Sequence, residues 1–97
     1  MKILVSLSEE VEVEKAIKAA TGMIVHDLAA LGVEPVVIPL SNPLGSLVTD
    51  KASPPGWSIT IRYENDVVSY AFESDNSMGY TGLDYQRLVE EMKENLL

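Results

Sequence analysis

Two segments of alternating apolar and polar residues, W-S-I-T-I-R-Y-E and V-V-S-Y-A-F-E, flank the pair Asn65-Asp66. Asn and Asp tolerate the left-handed backbone angles that a two-residue hairpin turn requires. Because side chains alternate along a strand, pairing Glu64 with Val67 places the large apolar residues of both segments on one face. The sequence therefore predicts an antiparallel hairpin. Its facing pairs are Tyr63 with Val68, Ile61 with Tyr70 and Ile59 with Phe72.

A long amphipathic helix is predicted from about residue 9 to residue 31. Ser8 suits the N-cap position, and the glutamates that follow it are favoured by the helix dipole. Gly32 suits the C-terminal cap. Apolar residues follow each other at three- and four-residue spacing and form one stripe. The stripe consists of Val13, Ile17, Ala20, Ile24, Leu28 and Leu31.

Two short apolar runs flank this helix and are predicted to be strands. K-I-L-V-S-L, residues 2–7, is typical of a buried strand, and E-P-V-V-I-P-L, residues 34–40, is rich in β-branched residues. A helix between two strands predicts a parallel pair joined by a right-handed crossover. Proline has no amide proton, and Pro35 and Pro39 are an even number of residues apart, so both face the same side of the strand. That side cannot pair with another strand, and the second strand is therefore expected at a sheet edge.

The remaining segments complete an expected architecture of β-α-β, β-hairpin and C-terminal helix. Residues 41–56, rich in Pro and Gly, are predicted to form a long loop, and residues 74–80 a linker. Thr81 is the expected cap of the final helix. We therefore expect one α+β domain over residues 1–97: a mixed four-stranded sheet with both helices on one face, a two-layer sandwich. The final helix carries the apolar stripe Tyr85, Leu88, Val89, Met92 and Leu96.

Composition narrows the possible chemistry. The chain has no Cys and one His, which removes thiolate metal sites, Cys nucleophiles and most zinc and Ser-His-Asp chemistry, so we expect no metal and no cofactor and favour a non-enzymatic role over a catalytic one. The net charge of -8 argues against direct binding to nucleic acid.

No apolar run has the length of about 18 to 20 residues that a membrane span needs. The N-terminal apolar run is too short for a signal peptide, so the expected location is the cytoplasm.

The second half of the first predicted helix is bare of charge. Between residues 19 and 30, Asp27 is the only side chain charged at pH 7. Small residues at helical spacing suit contact with another helix, so we predict an interface there. The same pattern would also arise if alanine served only as the best helix former, or if the 41–56 loop covered this side. The predicted interface residues are Ala19, Gly22, Met23, His26, Ala29 and Ala30.

These observations favour a small acidic protein-interaction module that forms a homodimer or binds a larger protein partner. One alternative is a small-ligand-binding or catalytic subunit, with a crevice at the C-terminal ends of the first two strands. Another is an acidic inhibitor that mimics nucleic acid. The candidate crevice residues are Ser6, Ser8, Ser41, Asn42, Gly45 and Ser46.

Overall fold

The computed structural model describes the backbone of residues 2–41, 44–75 and 77–96 and the side chains of 12–41, 44–75 and 79–96. Its first element is one long helix, α1 (Lys2–Ala30). The strand expected at residues 2–7 is wrong, because these residues form the start of α1. A short apolar run fits a strand or a helix, and residues 2–21 contain no Gly or Pro that would stop a helix.

α1 ends at the predicted glycine. Gly32 adopts a positive φ of 82°. The Val33 amide donates to the Leu28 carbonyl at 2.9 Å, and the Gly32 amide donates to the Ala29 carbonyl at 3.0 Å. This pair of hydrogen bonds is a Schellman cap, which needs a residue that tolerates the left-handed region.

Five strands follow α1 and form one sheet in the order β1-β2-β3-β4-β5, and every neighbouring pair is antiparallel. The expected mixed four-stranded sheet with a β-α-β unit is therefore wrong, although the α+β class holds. The second predicted strand corresponds to β1, which lies at the sheet edge as its prolines indicated. The strands are β1 (Val36–Ser41), β2 (Leu44–Thr49), β3 (Trp57–Glu64), β4 (Val67–Ser74) and β5 (Ser77–Leu83).

The predicted loop at 41–56 is wrong in its first half, where β2 forms between β1 and β3. Gly45 permits this close pairing, because a Cβ at that position would meet the main-chain carbonyl oxygen of Ile61. β2 contributes buried residues to both sides of the sheet, so its sequence lacks the apolar-polar alternation that identifies a half-exposed strand. Of the described residues in this stretch, 50–56 remain as a connection.

The predicted hairpin is confirmed as β3 and β4, with the expected pairing of Tyr63 to Val68 and of Ile59 to Phe72. Its turn residues Asn65 and Asp66 both have positive φ, at 53° and 64°. The turn chemistry and the alternating pattern act locally and agree with each other, which explains why the register was predictable.

The expected linker at 74–80 is also wrong, because β5 occupies most of it. Gly79 and Gly82 have positive φ, and the pairing of β4 with β5 shifts register at two places. Irregularities of this kind interrupt the alternating pattern, so the strand is hard to see in the sequence.

The final helix is confirmed as α2 (Tyr85–Leu96), with Leu88 and Met92 fully buried. The predicted cap is wrong, since Thr81 lies in β5 and Asp84 caps the helix instead. The Asp84 carboxylate accepts a hydrogen bond from the Arg87 amide at 2.8 Å. Asp is a favoured N-cap residue because its oxygen satisfies an amide that lacks a partner within the helix.

Both helices pack into one hydrophobic core with the sheet. α1 packs on β2, β3 and β4, whereas α2 packs on β4 and β5. Residues that alternate along one side of β3 and β4 are in the same cluster as residues of both helices, so the molecule has two layers. The fully buried members include Ile24, Leu28, Ile59, Ile61, Phe72, Leu88 and Met92.

Candidate protein-interaction surface

The predicted interface residues form one solvent-facing surface on the second half of α1, which we call the outer face. All six are exposed, and Met23 keeps 50% of its surface accessible. A Cβ built at Gly22 would meet nothing within 4 Å. The described part of the chain therefore leaves this face uncovered. The outer face consists of Ala19, Gly22, Met23, His26, Ala29 and Ala30.

The opposite side of the helix fixes this orientation. Ile17, Ala20, Ile24 and Leu28 are buried against the sheet, as their spacing predicted. An α-helix has 3.6 residues per turn, so residues three or four apart lie on the same side. When this stripe is buried against the sheet, the residues on the opposite side of the helix face solvent.

Asp27, the one residue between 19 and 30 that is charged at pH 7, points towards α2 and not onto the outer face. The Tyr85 hydroxyl of α2 donates a hydrogen bond to the Asp27 carboxylate, and it also lies 3.4 Å from the Met23 carbonyl oxygen. The Tyr85 ring in turn packs against Tyr70, with centroids 6.0 Å apart. Asp27 is half-buried in this contact, so the outer face carries no carboxylate or ammonium group.

The alternative that the 41–56 loop covers this side does not hold for the described residues of that segment. Residues 44–49 form β2 within the sheet, and residues 50–56 are held in their own turn. The Asp50 carboxylate accepts hydrogen bonds from the amides of Ala52 at 3.2 Å and Gly56 at 2.9 Å. The outer face therefore stays exposed, and helix propensity alone is the competing reason for its alanines.

The preceding turns of α1 contrast with the outer face. Glu12, Glu14, Lys15 and Lys18 are all exposed there. Charged residues of mixed sign are what a solvated helix surface normally carries. Among the side chains that the structure describes on α1, the bare surface is therefore confined to the second half of the helix.

A second apolar surface lies on β1 and was not predicted. Val36, Val37 and Ile38 are 38%, 43% and 43% exposed. The helices pack mainly on β2 to β5, so β1 lies beyond the helical layer. The sequence did indicate an edge strand through Pro35 and Pro39, and an edge strand has fewer neighbours to cover its side chains.

The residues of the predicted ligand crevice do not lie at the ends of a parallel strand pair. Ser6 and Ser8 belong to α1, whereas Ser41 ends β1. Gly45 and Ser46 are buried inside β2, and Asn42 lies outside the described residues. Every pair of neighbouring strands is antiparallel, so the strand arrangement on which this crevice depended is absent from the described sheet.

Two side chains away from the outer face have shifted pKa values. A hydrogen bond from Lys51, at 2.8 Å, and the charge of Lys51 lower the pKa of Glu34. This contact joins the connection after α1 to the loop after β2. Burial raises the pKa of the Tyr70 phenol. Both shifts belong to contacts within the fold.

An open cavity of about 220 Å³ lies where the β2–β3 loop approaches the end of β4. Trp57, Glu73 and Asp75 are among its lining residues. Across the described ranges, no three His, Cys, Asp or Glu side chains are grouped in a way that would hold a metal ion. The cavity therefore offers no described cation site.

Comparison with protein-family models, curated proteins and solved structures finds no match to this chain. Among the helices that the structure describes, none has both the length and the apolar character needed to cross a bilayer.

Proposed function

We propose that this chain is a small acidic, non-enzymatic protein-interaction module that binds another protein through the outer face of α1. The observation that carries the proposal is a helix surface that is exposed, carries no carboxylate or ammonium group and consists mainly of small residues, in a chain of net charge -8. Small side chains let a partner helix approach closely, and the absence of charge lowers the cost of removing water from the contact.

The β1 surface supports a docking role less well than the outer face. Its strand carries Pro39, and Pro35 directly precedes it. Prolines at an exposed strand remove the amide donors that an added strand would need, which is a common protection against unwanted association. The outer face of α1 has no comparable device.

The alternative functions have less support. A ligand crevice between Ser6, Ser41 and Asn42 was expected from parallel strands, and the described strands are antiparallel. Mimicry of nucleic acid requires clustered carboxylates that are free of positive charge, whereas the glutamates of α2, such as Glu90 and Glu94, are interspersed with Arg87 and Lys93.

Solution mass and partner capture, measured on matched variants, test the proposal. Gly22→Arg places a charged, bulky side chain on the outer face, and because Arg has better helix propensity than Gly the fold should be retained. Gln86→Arg adds the same charge to the exposed side of α2 and is the control. Light scattering gives the mass against 10.6 kDa per chain, and tagged protein captures partners from its source cells.

We expect the wild type to associate, seen either as a solution mass greater than that of one chain or as a partner protein retained by the tagged chain. This association should persist in Gln86→Arg and be lost in Gly22→Arg. Circular dichroism confirms that both variants are folded. If Gly22→Arg keeps the mass and every retained protein of the wild type, the outer face is not the docking surface.

A further inference from the structure

The side of the sheet that faces away from both helices carries a largely apolar patch at one edge. Ile59 and Phe72 are buried in the core with the helices, so the residues that alternate with them face the other way. Directly opposed residues of antiparallel strands share a face. Thr60 opposes Leu47, and Leu47 opposes Ile38, which extends this face to β1. We call its β1 and β2 part the sheet patch; it consists of Val36, Ile38, Leu40, Gly45, Leu47 and Thr49.

The side chains of the sheet patch are suited to contact with another surface. Val36 and Ile38 are exposed, and none of the six residues carries a charge. The Thr49 hydroxyl donates to the Trp57 carbonyl oxygen at 3.0 Å, so covering Thr49 leaves no donor without a partner. The prolines that protect the strand edge do not oppose such a contact, because sheets that stack face to face use no amide donors.

An exposed ion pair borders the sheet patch. Glu34 precedes β1 and Lys51 follows β2, at positions that continue the pairing of Val36 with Thr49. Alternation along the strands places both side chains on the face of the patch. Lys51 Nζ lies 2.8 Å from a Glu34 carboxylate oxygen, yet the side chains of Lys51 and Glu34 stay 65% and 87% exposed. Each charge is therefore accessible to a second partner of opposite sign.

A two-fold axis along the strands, between β1 and β2, makes this face complementary to itself. β1 of one copy then lies over β2 of the other, and Ile38 lies over Leu47. Glu34 lies over Lys51 of the second copy, and Lys51 lies over Glu34, so like charges stand only on the diagonals of a four-charge group. Stacked sheets lie about 10 Å apart with their strands within about 30°, a separation that these two long side chains can span.

Charge disfavours the other two-fold stacking of this face. An axis across the strands, through the row that contains Thr60, lays each strand reversed over itself. Glu64 then lies over Gly56 of the second copy, since the two residues are equally far from Thr60. An Asp75 carboxylate oxygen lies 3.7 Å from a Cβ built at Gly56, so two carboxylates would meet. The axis along the strands is therefore the favoured one.

Independently of the outer face, we infer that the sheet patch pairs two copies of this chain by this two-fold stacking. The contact is two strands wide and so smaller than the roughly 800 Å² per partner of a standard interface, which makes the dimer weak and reversible. α1 lies on the opposite side of the sheet, so the outer faces of the two copies stay open. The dimer thus presents two outer faces, and a multivalent partner would bind it more tightly than one copy.

Charge reversal gives the sharpest test of this pairing. Glu34→Lys and Lys51→Glu each place four like charges in the contact, so each variant alone should lose the dimer. Mixed in equal amounts, the two variants should pair with each other, because opposite charges then meet at every position. An exposed ion pair contributes little to folding, and circular dichroism confirms that both variants are folded.

Sedimentation equilibrium measures the pairing over a concentration series up to about 1 mM, where weak dimers are populated. A salt concentration of about 0.15 M screens charges beyond about 8 Å, which reduces the repulsion between two chains of net charge -8.

A second pair of variants tests the apolar part of the contact. Ile38→Thr keeps a β-branched residue in β1 and removes apolar surface twice per dimer, so it should raise the dissociation constant about tenfold. Val67→Thr makes a similar change at an exposed residue of β4, outside the sheet patch, and is the control. Equal dissociation constants for the two variants would overturn the pairing. A wild type that stays one chain up to about 1 mM, or charge variants that stay apart when mixed, would overturn it as well.

The proposed function is tested separately from this pairing. The sheet-patch dimer dissociates on dilution, and Gly22→Arg should leave it intact while removing the captured protein. If Gly22→Arg dissociates the dimer and Ile38→Thr does not, the copies meet through the outer face, so the pairing is wrong and the proposed function stands. If the mixed charge variants pair but Gly22→Arg loses no captured protein, the proposed function fails and the sheet patch remains the contact.

Discussion

The two helices bury similar apolar stripes against one sheet, but they present different surfaces to solvent. The outward side of α2 carries charged and polar residues, including Arg87, Glu90 and Glu94, all exposed. The outer face of α1 carries small and apolar residues instead. Helix propensity explains the alanines and Met23, but it does not explain an exposed Gly22 inside the helix. The difference indicates that α2 faces water and that the second half of α1 is suited to contact.

The largest expected change in stability comes from truncating a buried side chain on the side of α1 that packs against the sheet. Leu28→Ala should lower the free energy of unfolding by about 2–5 kcal/mol, because Leu28 is fully buried and its truncation leaves a cavity. Ala29→Ser, one position further along on the exposed side, should change it by less than about 0.5 kcal/mol. Urea denaturation measures both. Equal losses would show that α1 does not have the described inward and outward sides.

The cap of α2 tests whether this helix is stabilised locally. Asp84→Ala should cost about 0.5–2 kcal/mol, because the Arg87 amide loses its carboxylate partner. Thr81→Ala should cost less than about 0.5 kcal/mol, since Thr81 is exposed in β5. Thermal unfolding of the two variants measures the difference. A larger loss for Thr81→Ala would restore the cap predicted from the sequence.

A third pair of variants tests whether the contact with α2 holds the Asp27 carboxylate away from the outer face. Tyr85→Phe should cost about 0.5–1.5 kcal/mol, because Asp27 loses the hydroxyl that donates to it. Tyr80→Phe alters a tyrosine that is 38% exposed and is the control. Chemical denaturation measures both. An unchanged stability in Tyr85→Phe would mean that Asp27 is not held against α2.

The smallest expected change is a gain. Gly22→Ala should stabilise the chain by about 0.5–1 kcal/mol, because an exposed glycine inside a helix is unfavourable and the added methyl group has open space. Gly32→Ala should instead destabilise it, since Gly32 has a positive φ of 82°. Thermal unfolding at concentrations low enough to keep the chain monomeric separates this effect from association. A loss in Gly22→Ala would indicate that something already packs over this position.

Features that depend on local chemistry were predictable from the sequence. The hairpin of β3 and β4 follows from its alternating residues and its Asn65-Asp66 turn, and its register was correct. The inward stripe of α1, the Gly32 cap and the stripe of α2 follow from helix periodicity. The exposure of the six outer-face residues was predictable as well, because burying one stripe determines the opposite side.

The tertiary structure alone decided where the remaining segments belong. Residues 2–7 suit a strand or a helix, and the choice depends on whether a neighbouring strand is there to pair with them. β2 and β5 are strands because they pair with neighbouring strands. Gly45 allows β2 to approach the backbone of β3 closely, and the register shifts of β5 form only in its pairing with β4. Contacts between distant segments decide such elements, and a local pattern carries no information about them. The turn of Asp27 towards Tyr85 is a contact of the same kind, and it left the outer face without charge.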